Sequence, residues 1–420
     1  MGTFLSLYNR LVKAGLKGKL DEEISDYSKE LEFDPHQLDC LLNPEKHPPV
    51  IKIGPCRCNE DGETACKEIC AFDAITNTKD GDIEISFENC VGCGDCIEKC
   101  AAQNLAEIKE FIPILKTLKD PETPVYAMIA PAYISQFSEA TTPGKLRAAF
   151  KKLGFGGMIE VALFADILTL KEALEFDESI HTDDDYMLTS CCCPMWIAMI
   201  KRVYHDLVPH LPPSVSPMVA CGRAIKKLTP GAVTVFIGPC IAKKAEARAA
   251  DIADAVDYVL TFAEMRDIFE TAGVDPEAME EDQRDHSSTA GRIYARTSGV
   301  SHAVQTTLDR LRPDREIPLK ARYADGVPAC KAMLKDILEG EVKANFIEGM
   351  GCVGGCVGGP KALIDKDEAT KFVDAYGESA TYTTPVDNPY VIELLKRLGY
   401  DTIESLLKED SLFVRDFGQE

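Results

Sequence analysis

Positive charge is what this chain has least of: 46 lysines and arginines stand against 69 aspartates and glutamates, a net charge of −23 over 420 residues. That balance argues against nucleic acid or an anionic membrane as partner and for a soluble, self-repelling surface. No apolar run approaches the roughly eighteen residues needed to cross a bilayer. The N-terminus has no charged, apolar and cleavage regions in succession, so the expected address is the cytoplasm. Tryptophan is nearly absent, with Trp196 alone, and no tandem repeat is visible beyond two cysteine-rich halves described below.

Cysteine is abundant. Seventeen are present, an odd number, several adjacent or at C-x2-C spacing. Without a secretory leader this usage points to metal ligands in a reducing compartment rather than to disulfides. Two of the cysteines lie in a glycine-rich stretch, Glu348-Gly349-Met350-Gly351-Cys352-Val353-Gly354-Gly355-Cys356-Val357-Gly358-Gly359, where glycine lets the backbone approach a bulky partner and thiolates supply the ligands that iron and sulfide prefer. Gly349 to Gly354 also matches the dinucleotide pattern GxGxxG after the strand-like residues 344–347. Paired cysteines have no role in a pyrophosphate turn, however, and Asp365 and Asp367 close no obvious second strand.

Residues 4–16 carry Phe4, Leu5, Tyr8, Leu11, Val12 and Leu16 at helical spacing, with Gly15 and Gly18 as stops, and predict a packing helix. Cys40 and His47 follow in a polar segment and read as structural. From Cys56 to Cys100 the signal is sharper. Cys90, Cys93, Cys96 and Cys100 form C-x2-C-x2-C-x3-C, the bacterial ferredoxin run in which three cysteines hold one 4Fe-4S cluster and the fourth crosses to another. Cys56, Cys58, Cys66 and Cys70 supply the matching set. Pseudo-twofold logic assigns Cys56, Cys58, Cys66 and Cys100 to one cluster and Cys70, Cys90, Cys93 and Cys96 to its partner. Ala71 and Ala101 replace the usual proline after each fourth cysteine. A zinc site is the competing reading, but eight cysteines in two such halves contain no histidine.

Beyond Cys100 strand-like runs at 125–130, 158–163, 233–237, 258–261 and 344–347 alternate with amphipathic stretches such as 145–152, 168–176 and 197–207. Residues 275–288, acidic and polar, read as an exposed connection. The fold class expected is an α/β catalytic domain with largely parallel sheets, preceded by an α+β ferredoxin-like domain and an N-terminal helical segment. The boundaries expected are 1–49, 50–110 and 120–408, with a tail at 409–420.

Three separated stretches, Thr189-Ser190-Cys191-Cys192-Cys193-Pro194-Met195-Trp196, Gly238-Pro239-Cys240-Ile241-Ala242-Lys243-Lys244-Ala245-Glu246 and the glycine-rich stretch above, together resemble the signature motifs of the iron-only, or [FeFe], hydrogenases. Those motifs read approximately TSCCPGW, MPCxxKxxE and EVMACxxGCxxGGGQP, and Trp196 falls on the family tryptophan. The resemblance covers roughly residues 50–400. It implies that Cys193, Cys240, Cys352 and Cys356 hold a 4Fe-4S cubane, and that Cys356 also bridges to a two-iron unit bearing CO, cyanide and an amine dithiolate, the two together forming the H-cluster. Cys192 would be the free thiol facing the reactive iron, Lys243 the holder of a cyanide ligand, and Met350, Pro131 and Ala132 the packing around the two-iron unit. Glu172, twenty residues before Cys192, and Glu175 one helical turn on would relay protons.

The implied activity is reversible reduction of protons to hydrogen, with electrons from a ferredoxin or similar soluble carrier passing through two accessory 4Fe-4S clusters. Hydrogenase maturation proteins would install the two-iron unit. A non-catalytic relative, a hydrogen sensor or an iron-sulfur assembly protein, is the alternative; a plain ferredoxin subunit leaves some 300 residues without a role. Departures from the family pattern are Cys191 in place of serine, Gly238 in place of methionine, Met218 in place of glutamine, and Gly359-Pro360-Lys361 at the end of the last motif. Pro212 stands where a serine usually links the two glutamates, so Ser214 or an ordered water is expected to take its place, the alternative being another proton path that uses the extra Cys191.

Overall fold

The computed structural model describes residues 2–56, 65–189, 191–408 and 410–418. Cys58, one of the expected ligands, lies outside them. The first helix, Gly2–Leu16, buries Phe4, Leu7, Tyr8, Leu11 and Val12 along one stripe, and positive φ at Gly18 turns the chain away from it. The stripe packs on helices Phe111–Thr117 and Phe262–Ala272 and shares one core with them. The third helix, Pro35–Leu42, starts sharply because Asp34 accepts hydrogen bonds from the backbone N–H of His36 and Gln37, a cap worth about 1 kcal/mol.

Four short strands follow: β1 (Val50–Lys52), β2 (Ile75–Asn77), β3 (Ile83–Ile85) and β4 (Leu105–Glu107). β1 pairs with β4 and β2 with β3, both antiparallel, and helices Ala65–Glu68 and Asp95–Lys99 touch each other beside them. This is the α+β unit expected around the cysteine-rich halves.

Seven further strands build two wholly parallel sheets. β5 (Val125–Ile129), β6 (Gly157–Glu160), β8 (Val233–Gly238) and β9 (Tyr258–Thr261) run in the order β6-β5-β8-β9, while β7 (Met187–Leu188), β10 (Ala321–Asp325) and β11 (Phe346–Met350) run in the order β10-β11-β7. Strands β7 and β10 escape the sequence pattern because one is two residues long and the other is a polar, largely exposed edge. The run at 158–163 is split, its last residues beginning helix Ala162–Ser179. The run at 344–347 shifts to β11, which takes Glu348, Gly349 and Met350 into the sheet.

Helix Ala162–Ser179 connects the two cores. Ile167, Leu168 and Leu170 belong to the core of the four-stranded sheet, whereas Ala165, Ala173 and Phe176 pack with Phe346 of β11, the Phe176 and Phe346 rings meeting edge to face at 5.9 Å. A helix apolar around most of its circumference has to be buried, and its polar side chains then need partners inside the protein. Asp166 accepts from the N–H and hydroxyl of Ser288 and from Gly291 N. For that reason the connection expected to be exposed at 275–288 ends buried, at Ser287 and Ser288. Residues 410–418 also pack: Phe413 is buried, and Val414 bridges to Ser214.

Candidate metal centre

All seven strands of the two sheets are parallel within their sheet, so the loops after β7, β8 and β11 leave carboxyl-terminal strand ends, the usual place for ligands in α/β sheets. β7 runs into Thr189 and then Cys191, Cys192 and Cys193; Cys193 caps helix Pro194–Val203 with proline at its first turn. β8 ends at Gly238, two residues before Cys240 and just ahead of helix Ala242–Ala247, which carries Lys243. β11 ends at Met350, leading to Cys352 and Cys356. Glycine makes the closest of these approaches possible. A Cβ at Gly349 would stand 2.1 Å from Trp196 Cε3, and Trp196 Nε1 donates to Thr189 O at 2.8 Å, so the indole ties the first and third loops together.

Cys192 and Cys193, Cys240, Cys352 and Cys356 come together at these loops. Gly351 N donates to Cys193 Sγ at 3.2 Å. Burial pushes the Cys240 thiol up to about 11 and that of Cys356 up to about 12, in each case assisted by the charge of neighbouring thiols. Cys192 and Cys352 are raised further for the same two reasons, burial first. Lys243 sits among them: burial opposes its charge, yet Glu246 and the thiols of Cys192 and Cys240 hold it above the usual lysine range. Its ammonium donates to Glu246 Oε2 at 2.6 Å, and Glu246 Oε1 is buried without a partner among the described residues.

Seven of the other cysteines gather in two cavities. One is lined by Cys56, Cys66 and Cys100, the other by Cys70, Cys90, Cys93 and Cys96. Backbone N–H groups point at their sulfurs, Ala74 N to Cys70 Sγ and Asn104 N to Cys100 Sγ, both at 3.3 Å. The second cavity abuts the loops after β7 and β8: Cys93, Cys193 and Cys240 flank one apolar cluster with Val91 and Ala242, and a Cβ at Gly92 would meet Ala242 Cα at 3.1 Å.

Glu172 and Glu175 are both buried on helix Ala162–Ser179. Glu172 accepts from Thr189 Oγ1 at 2.5 Å and from Cys191 Sγ at 3.4 Å; burial pushes its carboxyl up to about 7 against those bonds. Glu175 pairs with Lys171 and accepts from Ser214 Oγ at 3.2 and 3.3 Å, and burial outweighs these partners to raise its pKa too. It lines a surface depression with Asp184, Asp185, Tyr186 and His210. Ser214 therefore stands at Glu175, while the hydrogen-bond partners of Glu172 are Thr189 and Cys191.

Residues 123–360 match the family described as iron only hydrogenase large subunit, C-terminal domain, more than half of the chain. The chain belongs to the iron-only hydrogenase large-subunit family. It is 29% identical over 303 positions to the periplasmic [Fe] hydrogenase large subunit of Nitratidesulfovibrio vulgaris, across 60% of this chain and 72% of that protein. It is 24% identical over 381 positions to cytosolic iron-sulfur assembly component 3 of Bos taurus, across 75% and 80%. A variant of [FeFe]-hydrogenase HydA1 from Chlamydomonas reinhardtii shares the fold with a TM-score of 0.56 at 22% identity, covering 72% of this chain and 96% of that one.

The donor chemistry fits the iron–sulfur binding that membership in the iron-only hydrogenase family brings. Several thiols converging from three strand ends are the ligand set that iron and sulfide take, the metal replacing the thiol protons on binding. Met350 is buried against Cys192 in one cluster. Pro131 and Ala132 form a tight turn after β5, one strand away from β8, which leads to Cys240. Cys221 lies in the main core, and Cys330 donates to Met350 O at 3.3 Å. Sequence reading missed Thr189 and Lys171 as neighbours of the glutamates. A signal was present for the lysine, since Lys171 and Glu175 are an i,i+4 pair inside an otherwise apolar helix.

Proposed function

We propose that the chain interconverts protons and hydrogen, 2H+ + 2e− ⇌ H2, as an [FeFe]-hydrogenase. The observation that carries this reading is a buried fifth thiol, Cys192, beside the four half-buried thiols of Cys193, Cys240, Cys352 and Cys356, while its chain neighbour Cys191 is hydrogen-bonded to the buried acid Glu172. In this reading those four would hold a 4Fe-4S cubane, Cys356 would also hold the two-iron unit, Lys243 would donate to its cyanide, and Met350, Pro131 and Ala132 would pack around it. When bound, the H-cluster supplies the redox metal at which two electrons and two protons combine. The two cavities of the ferredoxin-like part would hold the accessory 4Fe-4S clusters, with Cys58 completing the first set.

The chain's own residues then manage protons and access. Cys192 gives and takes a proton at its Sγ. Glu172, held by Thr189 and Cys191 with a pKa near 7, is matched to proton exchange at neutral pH. Glu175 opens toward the surface depression and exchanges with solvent, with Ser214 and Lys171 fixing its carboxylate. Clusters held in the two cavities would carry electrons from a ferredoxin-type carrier, with Cys56 lining the outer cavity and Cys93 the one beside Cys240. Maturation proteins supply the two-iron unit, and the setting is cytoplasmic; among the described residues no helix is long and apolar enough to cross a membrane.

A second reading, an iron-sulfur assembly protein, is favoured by the alignment with the assembly component over 75% of the chain. Hydrogen evolution from reduced ferredoxin by matured protein separates the two. The hydrogenase reading expects evolution that Cys192→Ala abolishes; cluster-loaded wild type that evolves no more hydrogen than Cys192→Ala supports the assembly reading.

A further inference from the structure

Outside both cysteine cavities and the catalytic loops, His36, Cys40 and His47 come together. His36 and Cys40 are one turn apart on helix Pro35–Leu42, hence on one face, and the short turn Pro44–Lys46 brings His47 back over them. One ligand atom from each of the three lies within 4.8 Å of the other two. Cys40 Sγ is 3.7 Å from His36 Nε2, and the imidazole rings meet edge to face with centroids 5.6 Å apart. Tetrahedral coordination at the bond lengths zinc makes to sulfur and imidazole nitrogen needs ligand atoms roughly 3.3–3.6 Å apart. The cysteine–histidine pair is nearly there already. His36 is exposed and free to close the remaining gap, exchanging its Nε2 contact with Lys52 O at 3.1 Å for the metal.

We propose that His36, Cys40 and His47 bind a borderline-soft divalent cation of the zinc class. Two imidazoles and one thiolate are a donor set that zinc favours over calcium or magnesium. Asp39 sits beside the site: its Oδ2 is 2.8 Å from His47 Nε2, and Asn43 holds its other oxygen at 2.8 Å. A carboxylate fixed on one nitrogen of a ligating histidine is the usual outer partner of such a centre, and water fills the fourth position.

The location suits a structural clip. His36 lies against Lys52 of β1, whose side chain lines the Cys56 cavity. On the other side Arg248, following helix Ala242–Ala247, donates to His47 O at 2.5 Å, to Pro44 O at 3.0 Å and to Glu110 at 2.7 Å. A metal at this point fastens the N-terminal segment where the ferredoxin-like part and the catalytic part meet it. The proposal is independent of hydrogen chemistry.

The test uses the full chain with its iron–sulfur clusters loaded, exposed to zinc alone and desalted. Metal analysis should find a single zinc in wild type and in Cys221→Ala, and none in Cys40→Ala or in His36→Gln; the latter changes an exposed side chain and keeps the fold testable. Zinc-edge X-ray absorption should show mixed nitrogen and sulfur ligation, and chelation should lower the melting temperature of wild type and of Cys221→Ala but not of Cys40→Ala or His36→Gln. Absence of zinc from wild type, retention in His36→Gln, or a shell of four sulfurs, which places zinc in a cluster cavity, overturns the proposal.

Discussion

Cys191 Sγ donates to Glu172 Oε1 at 3.4 Å, and the same thiol lies 3.3 Å from Val215 O. The cysteine at the position where the family pattern has serine is thus the thiol hydrogen-bonded to the buried acid. Cys192 has its electrostatic neighbours in Cys356, Cys191, Cys193 and Lys243. The two adjacent thiols divide the tasks: one holds the carboxyl, the other faces the metal loops.

Glu172→Gln and Cys192→Ala should each lower hydrogen turnover by about a hundredfold or more, the effect of losing a general acid–base group. Cys191→Ala removes a single hydrogen bond and should cost about tenfold. Steady-state evolution with an artificial reductant checks the order. Near-normal Glu172→Gln with a crippled Cys191→Ala would place the proton route on Cys191 instead.

Stability should fall as pH rises through the same group. The Glu172 carboxyl goes from its ordinary 4.5 in the unfolded chain to about 7 when folded. Below 4.5 both states are protonated. Between the two values the folded state binds more protons, so stability is lost progressively and is lower by about 3 kcal/mol above pH 7. Denaturant unfolding at pH 5 and pH 8 should show a smaller difference in Glu172→Gln than in wild type by roughly that amount.

Elements with strong local pattern were legible in the sequence, and those defined by long-range pairing were not. Helix Gly2–Leu16 announces itself by its apolar stripe, and β8 and β9 by short apolar runs between turns. Strand β10 carries Arg322 and Tyr323 exposed and exists because it pairs with β11, a partner some twenty residues away that no local window contains. At the site, cysteine spacing singles out the thiols because ligation demands fixed residue types. The acid–thiol contact is harder to read: Thr189 reaches Glu172 only because β7 pairs beside β11 and helix Ala162–Ser179 packs across both cores. The burial of residues 287–288 is equally invisible until Asp166 needs donors.

Gly349→Ala tests the joint between the first and third loops. With a Cβ 2.1 Å from Trp196 Cε3, the indole has to move, at a cost of about 1–3 kcal/mol. Trp196 is the single tryptophan, so its fluorescence should shift to the red in the variant, and the unfolding midpoint should drop. An unshifted spectrum at unchanged stability would show that the indole does not lie over Gly349.

Lys243→Ala should leave the cubane clusters in place and impair retention of the two-iron unit, since a buried charged donor is lost and Glu246 loses its ion-pair partner. Iron content before maturation should match wild type, at about twelve irons for three 4Fe-4S clusters. Infrared bands of metal-bound CO and cyanide should weaken or vanish after it. Unchanged bands and turnover would make Lys243 a structural partner of Glu246 alone.

The central claim, that the loops after β7, β8 and β11 form one site for a cubane joined to a two-iron unit, is tested most directly by infrared spectroscopy of the matured chain. The account predicts bands of metal-bound CO and cyanide that are present in wild type and lost in Cys356→Ala. Matured protein with its full complement of 4Fe-4S clusters and no such bands would contradict it.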